Sequence, residues 1–295
     1  MSGGQLLLFV VGGLSNAAYL FIVAAGLSLV FGALRVINMA HGSLYMIAAF
    51  VTVVVANQLG LTLGFWGGLV VAVIVTGLVG ALIEVVVLRR VYGEEHLVQL
   101  LATYALTLVI AGVVRTVFGA NYRTVKPPAA INFSVTLAGN SYAAYSFFMI
   151  GAAVVIGTGV YILMYRTTLG RNIRAAVSDP ELLSASGVNV ARLYTVVFVI
   201  GAALAALGGA IVAPSQAVNA SMDTDVLVLA FAISVIGGLG SIIGSLVGAL
   251  IVGEVLSFGL QNQYTSPYAI AFVFIIMVIV LTIRPWGLFG KAEQT

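Results

Sequence analysis

The sequence predicts an all-α, polytopic membrane protein of about eight spanning helices plus a broken helix that stops partway across. Hydrophobic residues make up 62% of the chain and charged residues 7%, where a soluble domain carries about 25% charged residues. The apolar residues also fall in stretches close to the roughly 20 residues that cross a hydrocarbon core. Mean hydropathy is +1.18. Residues 1–295 read as a single transmembrane domain with one polar loop at 165–192.

Taken in order, the candidate spans are Gln5–Leu34, Leu44–Gln58, Leu63–Leu88, Leu97–Phe118, Tyr145–Tyr165, Leu193–Ala213, Ile242–Leu260 and Pro267–Ile283. The opening MSGGQLLLF has no basic n-region, so it reads as a retained first span rather than a signal peptide. Asp225–Ile236 is apolar but only about 18 Å long as a helix, at 1.5 Å per residue. Gly237-Gly238-Leu239-Gly240-Ser241 follows and does not continue a stable helix. The expectation is a half-helix, then an irregular break at membrane depth, which survives only where protein or a water-filled cavity satisfies the freed backbone groups.

Orientation follows from the basic residues, which mark cytoplasmic loops. Arg35, Arg89/Arg90, the 165–192 loop, Arg284 and Lys291 lie on one side by this rule, while Arg123 and Lys126 run against it. Asn121–Tyr142, Pro214–Thr224 and the N-terminus are then external. The net charge of +3 is explained by this bias and gives no sign of nucleic-acid binding.

The 165–192 loop is where the chain turns polar, with Arg166, Arg171, Arg174 and Arg192 set against Asp179 and Glu181. Arg171 and Arg174, three apart in GRNIRAAVS, share a helix face. Asp179 suits an N-cap and Pro180 the first turn of a second helix. That helix, PELLSAS, ends at Gly187, a residue suited to the left-handed position after a helix. Two short helices at the membrane surface, shaped to fit another protein, are expected here.

Three further features each admit two readings. Gly240, Gly244 and Gly248 recur every fourth residue, with Ser241 and Ser245 alongside. This stripe is either a dimer or pore-lining face, or close packing inside the subunit. The run from Gly32 to Gly42 sets Arg35, Asn38 and His41 between two apolar spans. It is either an interface turn or, paired with the Gly237–Ser241 break, part of a pathway. Glu254 lies about twelve residues into its helix, as a polar point on a substrate route or an interhelical hydrogen bond. Glu84, just before Arg89/Arg90, reads as a surface neighbour five residues away.

Catalytic chemistry is not expected. No GxxxxGK[ST] phosphate loop occurs, there are no cysteines, and the two histidines His41 and His96 have no metal-ligand spacing. No cofactor and no metal site is assigned, and no residue is assigned as catalytic.

Three stretches carry a resemblance: GLSLVFGALRVINMAHGSLYMIAAF (26–50), GRNIRAAVSDPELLSASGVNVAR (170–192) and FAISVIGGLGSIIGSLVGALIVGE (231–254). Together they make the chain similar to the permease of branched-chain amino-acid ABC importers, the LivH type. The last stretch alone is also similar to sugar-importer permeases. The resemblance implies a multi-pass protein of the bacterial inner membrane, in contact with lipid. It implies a second permease subunit, copy or paralogue, two cytoplasmic ATP-binding subunits that hydrolyse the ATP, and a periplasmic substrate-binding protein. It makes 165–192 the coupling loop, with Gly170, Arg171, Arg174, Asp179, Pro180, Glu181 and Gly187 as coupling residues. Glu181 and Gly187 keep the spacing of the importers' Glu-Ala-Ala, three residues, Gly pattern, while Leu182 and Leu183 replace its alanines. Asn38, His41, Gly42, Ser43, Tyr45, Gly237, Gly238, Gly240, Ser241 and Glu254 are expected along the translocation path. Ser43 stands where many relatives carry an acid, and urea or short-amide permeases share the INMAHG run. Urea, short amides and aromatic acids therefore stand beside branched-chain amino acids as substrates, and an ATP-independent secondary transporter is the rival class.

Overall fold

A computed structural model describes residues 3–60, 64–137, 139–261 and 263–290. Among them, eight helices are long and apolar enough to cross a membrane. Helix α1 (Gly3–Leu34) ends at Arg35, which takes a left-handed φ of 53° and turns the chain back. Residues 35–40 are irregular, and α2 (His41–Leu59) follows. Helix α3 (Gly64–Ile83) runs through a π-turn (Glu84–Leu88) into a short α4 (Arg89–Val91). Helix α5 (His96–Phe118) leads to a two-stranded antiparallel hairpin, β1 (Ser134–Leu137) and β2 (Asn140–Ala143), with Val135 opposite Tyr142. Then come α6 (Ala144–Arg166), α7 (Thr168–Ser178), α8 (Pro180–Ala185) and α9 (Val190–Val212). Helices α10 (Met222–Gly237), α11 (Ile242–Leu260) and α12 (Ala269–Ile283) complete the bundle.

Helices α1, α2 and α9 supply most of the core, and α5, α6 and α12 present mainly exposed apolar side chains. That distribution suits outer helices whose solvent is lipid. One end of the bundle gathers Arg35, Arg89/Arg90, α7, α8 and Arg284 and is called the basic end below. Gly32 and Gly240 pack there at 3.0 Å from an ideal Cβ, and Arg89 Nη2 donates to Thr195 Oγ1 at 2.7 Å. The hairpin and residues 213–221 lie at the other end, where Arg123 and Val218 exchange backbone hydrogen bonds at 2.9 and 2.8 Å. Lys291, read above as a basic marker, lies outside the described residues.

The broken segment stands elsewhere than the glycines predict. Asp225–Ile236 is the inner part of a longer helix, and Gly237–Ser241 is a tight turn at the basic end, not a break at membrane depth. Leu288 and Phe289 donate backbone hydrogen bonds to Ile236 and Gly237, both at 2.9 Å, so the C-terminal turn satisfies those carbonyls. Gly238 and Gly240, with φ of 102° and 83°, supply the left-handed backbone the turn needs.

Two irregular stretches lead inward from the ends, 35–40 from the basic end and 213–221 from the opposite end. Each closes with the same local device. Asn38 Oδ1 accepts from Ala40 N at 3.1 Å and its carbonyl from His41 N at 3.3 Å. Asn219 Oδ1 accepts from Ser221 N at 2.8 Å and its carbonyl from Met222 N at 3.4 Å. The likeness extends to the helices. Helix α1 packs on α11 as α9 packs on α3, and α1 crosses α9 with Gly201 against Val30 and Gly208 against Val23. The chain is thus organised as two inverted halves, α1–α3 and α9–α11, the arrangement common in transporter folds.

Candidate functional site

The inverted halves bring the starts of α2 and α10 together inside the bundle. His41 Nε2 donates to the Val23 carbonyl at 3.0 Å. Val23 lies eleven residues before the end of α1, about 16 Å in at 1.5 Å per residue. That is close to half of a hydrocarbon core about 30 Å thick. Gly42 is pressed against the Asp223 carbonyl, where an ideal Cβ would also meet Leu227 Cβ at 2.9 Å. Only a glycine lets the two helix starts approach this closely.

Two helix N-termini facing each other place two positive dipole ends in one low-dielectric spot. Asp223, 3% exposed, is the compensating acid. Its Oδ2 accepts from Ser43 Oγ at 3.3 Å, in the first turn of α2, and its Oδ1 accepts from Thr224 N at 2.9 Å, in its own first turn. One carboxylate therefore serves both termini. Helix α2 offers the hydroxyl of Ser43 at this point, and the acid comes from the facing helix.

The polar groups around this crossing are enclosed and only partly bonded. Asn38 and His41 are 1% and 0% exposed, and Asn38 Nδ2 and His41 Nδ1 have no hydrogen-bond partner. Unpaired polar atoms at such depth are costly. A donor and an acceptor left open three residues apart are capacity that water or a polar solute can use. Tyr45 continues the line outward: its hydroxyl accepts from Gln216 Nε2 at 3.3 Å, reaching the second irregular segment.

Of the residues predicted for a path, Asn38, His41, Gly42, Ser43 and Tyr45 thus come together. Gly237, Gly238, Gly240 and Ser241 form the turn at the basic end, apart from this group. Glu254 is apart as well: its carboxylate lies against the Cα of Gly13 on α1, and its Oε2 is buried without a hydrogen bond. Gly244 and Gly248 pack inside the chain, against Gly237 and Ile233 of α10. Sequence reasoning missed Gln216, Asn219 and Asp223, because 213–221 reads as an ordinary external loop. The available signal was the match between Asn38-Met-Ala and Asn219-Ala-Ser, each just before a helix.

The polar loop forms as its sequence dictates. Thr167, Asp179 and Asn189 cap α7, α8 and α9, accepting from Gly170 N, Leu182 N and Arg192 N at 3.2, 2.9 and 2.9 Å. Pro180 opens α8. Gly187, with φ of 86°, closes it, with Gly187 N bonded to Ser184 O at 2.9 Å and Val188 N to Leu183 O at 3.4 Å. That is a Schellman ending. Ile173 and Ala176 are buried, and Gly170 fits against the last carbonyls of α6, seating α7 on the bundle. Arg171, Glu181 and Leu182 stay exposed. Arg174 folds back instead: it donates to the Met164 carbonyl and lies 5.5 Å from the Tyr165 ring centroid.

Glu84 corrects its sequence reading. It does pair with Arg89, at 3.1 Å, but its side chain is 0% exposed and no surface neighbour.

Comparison with known proteins supplies the family. Residues 9–281 match the family described as branched-chain amino acid transport system / permease component. The permease protein BraD of Pseudomonas aeruginosa, from a high-affinity branched-chain amino acid transport system, is 28% identical, with 96% of this chain and 95% of BraD aligned. LivH of Escherichia coli K12, from a system of the same description, is 29% identical over 92% of this chain and 91% of LivH. A probable LivH of Methanocaldococcus jannaschii is 25% identical over 92% of this chain and 88% of its own length. With the eight apolar helices and the match across nearly the whole length, the chain belongs to the permease-component family of branched-chain amino acid transport systems, a multi-pass transport subunit of the inner membrane rather than an enzyme.

Proposed function

We propose that this permease moves branched-chain or similarly hydrophobic amino acids inward as one subunit of an ABC importer. Its partners in this reading are a second permease subunit, two ATP-binding subunits at the basic end and a periplasmic binding protein at the other. The observation that carries the reading is the capped two-helix element α7–α8. It is rigidly seated by Ile173 and Ala176 while offering Arg171, Glu181 and Leu182 to a partner. A carrier driven by an ion gradient has no need of such an element.

In this mechanism the ATP-binding subunits close on ATP and displace α7–α8 as one body. Gly187 passes the displacement to α9, which packs on α1, α2 and α3. The α2–α10 crossing is the gate, and Asn38, His41, Ser43 and Asp223 are its polar contacts. Arg171 and Glu181 engage the ATP-binding subunit, whereas Arg174 holds α7 to α6.

The test is reconstitution with the partner subunits and binding protein, measuring ATP hydrolysis and uptake of leucine, urea and an aromatic acid. Leucine-stimulated hydrolysis with uptake is expected, and Glu181→Arg should insert normally but lose the stimulation. Leucine uptake that persists without ATP-binding subunits would overturn the proposal.

A further inference from the structure

Glu84 belongs to neither the crossing nor the polar loop, yet it is fully buried and heavily bonded. Its Oε2 accepts from Arg89 Nη2 at 3.1 Å and its Oε1 from Tyr92 Oη at 3.2 Å. Arg89 also reaches across to α9, where its Nη2 donates to Thr195 Oγ1 at 2.7 Å. Tyr92 and Tyr194 meet edge to face, with ring centroids 5.7 Å apart. Burial, then the neighbouring Glu84 charge and hydrogen bond, push the Tyr92 phenol up, so it remains a donor.

The backbone is shaped for this pairing. In an α-helix, residues five apart stand about 140° apart around the axis and do not face each other. Here residues 84–88 form a π-turn, in which Arg89 N–H bonds the Glu84 carbonyl and brings position 89 back over position 84. Such turns are rare and concentrate at functional sites. The partner, Thr195, lies in the second turn of α9, the helix that leaves α8 through Gly187.

We propose that Glu84 is a positioning residue for energy coupling: through Arg89 it clamps the basic end of α3 to the start of α9. A pull on α8 then moves α3 together with α9 rather than α9 alone. The exposure of Arg89, 41% against 0% for Glu84, matters here. Without its buried partner and the π-turn, a half-exposed arginine has no reason to hold one orientation. The role in coupling rests on the reading of α7–α8 given above.

The experiment uses the complete reconstituted importer and reads solute moved per ATP hydrolysed. Thr195→Val removes the hydroxyl at nearly constant volume and leaves the Glu84–Arg89 pair intact. The ratio is expected to fall about tenfold or more, the equilibrium factor for losing one charge-assisted hydrogen bond. Thr195→Ser, which keeps the hydroxyl, should restore it, and Glu84→Gln should lower it as Thr195→Val does. A wild-type ratio in Thr195→Val at normal yield overturns the clamp, even where Glu84→Gln fails to fold. The chain has no cysteine, so Arg90→Cys and Val196→Cys admit a spin-label pair. Their separation should be the same without nucleotide and with ATP trapped, and should broaden in Thr195→Val. A separation that changes with ATP in the otherwise native chain overturns the clamp. Normal stimulation in Glu181→Arg instead overturns the coupling role of α8, so the two failures are told apart.

Discussion

Gly42→Ala tests the crossing most directly. A methyl group at Gly42 would fall 2.9 Å from Leu227 Cβ, 3.0 Å from the Asp223 carbonyl carbon and nearer still to its oxygen. Carbon atoms settle at about 3.5–4.0 Å. The obstructing atoms are backbone and Cβ, so no side-chain rotation clears them, and α2 and α10 must part. Overpacking of this kind costs about 1–3 kcal/mol. The parting also breaks the Ser43–Asp223 bond, already 3.3 Å long. Exposing those buried groups unpaired adds about 1–3 kcal/mol. Exchanging Gly for Ala in a helix returns at most about 1 kcal/mol. A net loss of about 1–5 kcal/mol is expected from these terms together. Gly77→Ala is the internal control, because its nearest obstruction is Val199 Cγ1 at 3.8 Å, an ordinary contact. The assay is thermal unfolding of the detergent-solubilised protein by size exclusion, beside uptake in proteoliposomes. If Gly42→Ala proves as stable as Gly77→Ala, the close approach of the two helix starts is refuted.

Asp223→Asn keeps the shape and the Ser43 bond but removes the charge facing two N-termini. At about 0.3–1 kcal/mol per terminus, it should lower the unfolding temperature modestly and reduce uptake, and equal uptake counts against the gate. Gly187→Pro imposes a φ near −65° where the chain needs 86°, so inserted protein with ATP hydrolysis uncoupled from uptake is expected. Glu254→Gln fills the same space against Gly13 and should keep yield and uptake. Glu254→Ala leaves a gap and should lower the yield of folded protein. Loss of uptake in Glu254→Gln would return that residue to the translocation path.

The spans were legible because each is a long apolar run, and composition alone specifies a helix that lipid can hold. The caps at Thr167, Asp179 and Asn189 follow local chemistry within three or four residues, so Asp179, Pro180 and Gly187 were readable as well. The crossing was half legible. Asn38 and His41 interrupt an apolar stretch, but their counterpart Asp223 sits behind a loop whose polarity suits an external position. The glycines at 237–240 misled because a turn at a bundle end and a break inside it need the same left-handed backbone. Only the C-terminal residues 288–289, far along the chain, decide between them. Glu84 was hidden because nothing in EVVVL announces a π-turn, and only tertiary packing encloses its carboxylate.

The paired asparagine turns carry one more consequence. Because each half enters from the opposite face with the same parts, opening one side of the bundle is the movement that opens the other, turned upside down. Two extreme shapes related in this way break and remake contacts of the same kind, the asparagine turns and the helix starts they lead to. A bound molecule then sets which side stands open only as far as its affinities for the two shapes differ.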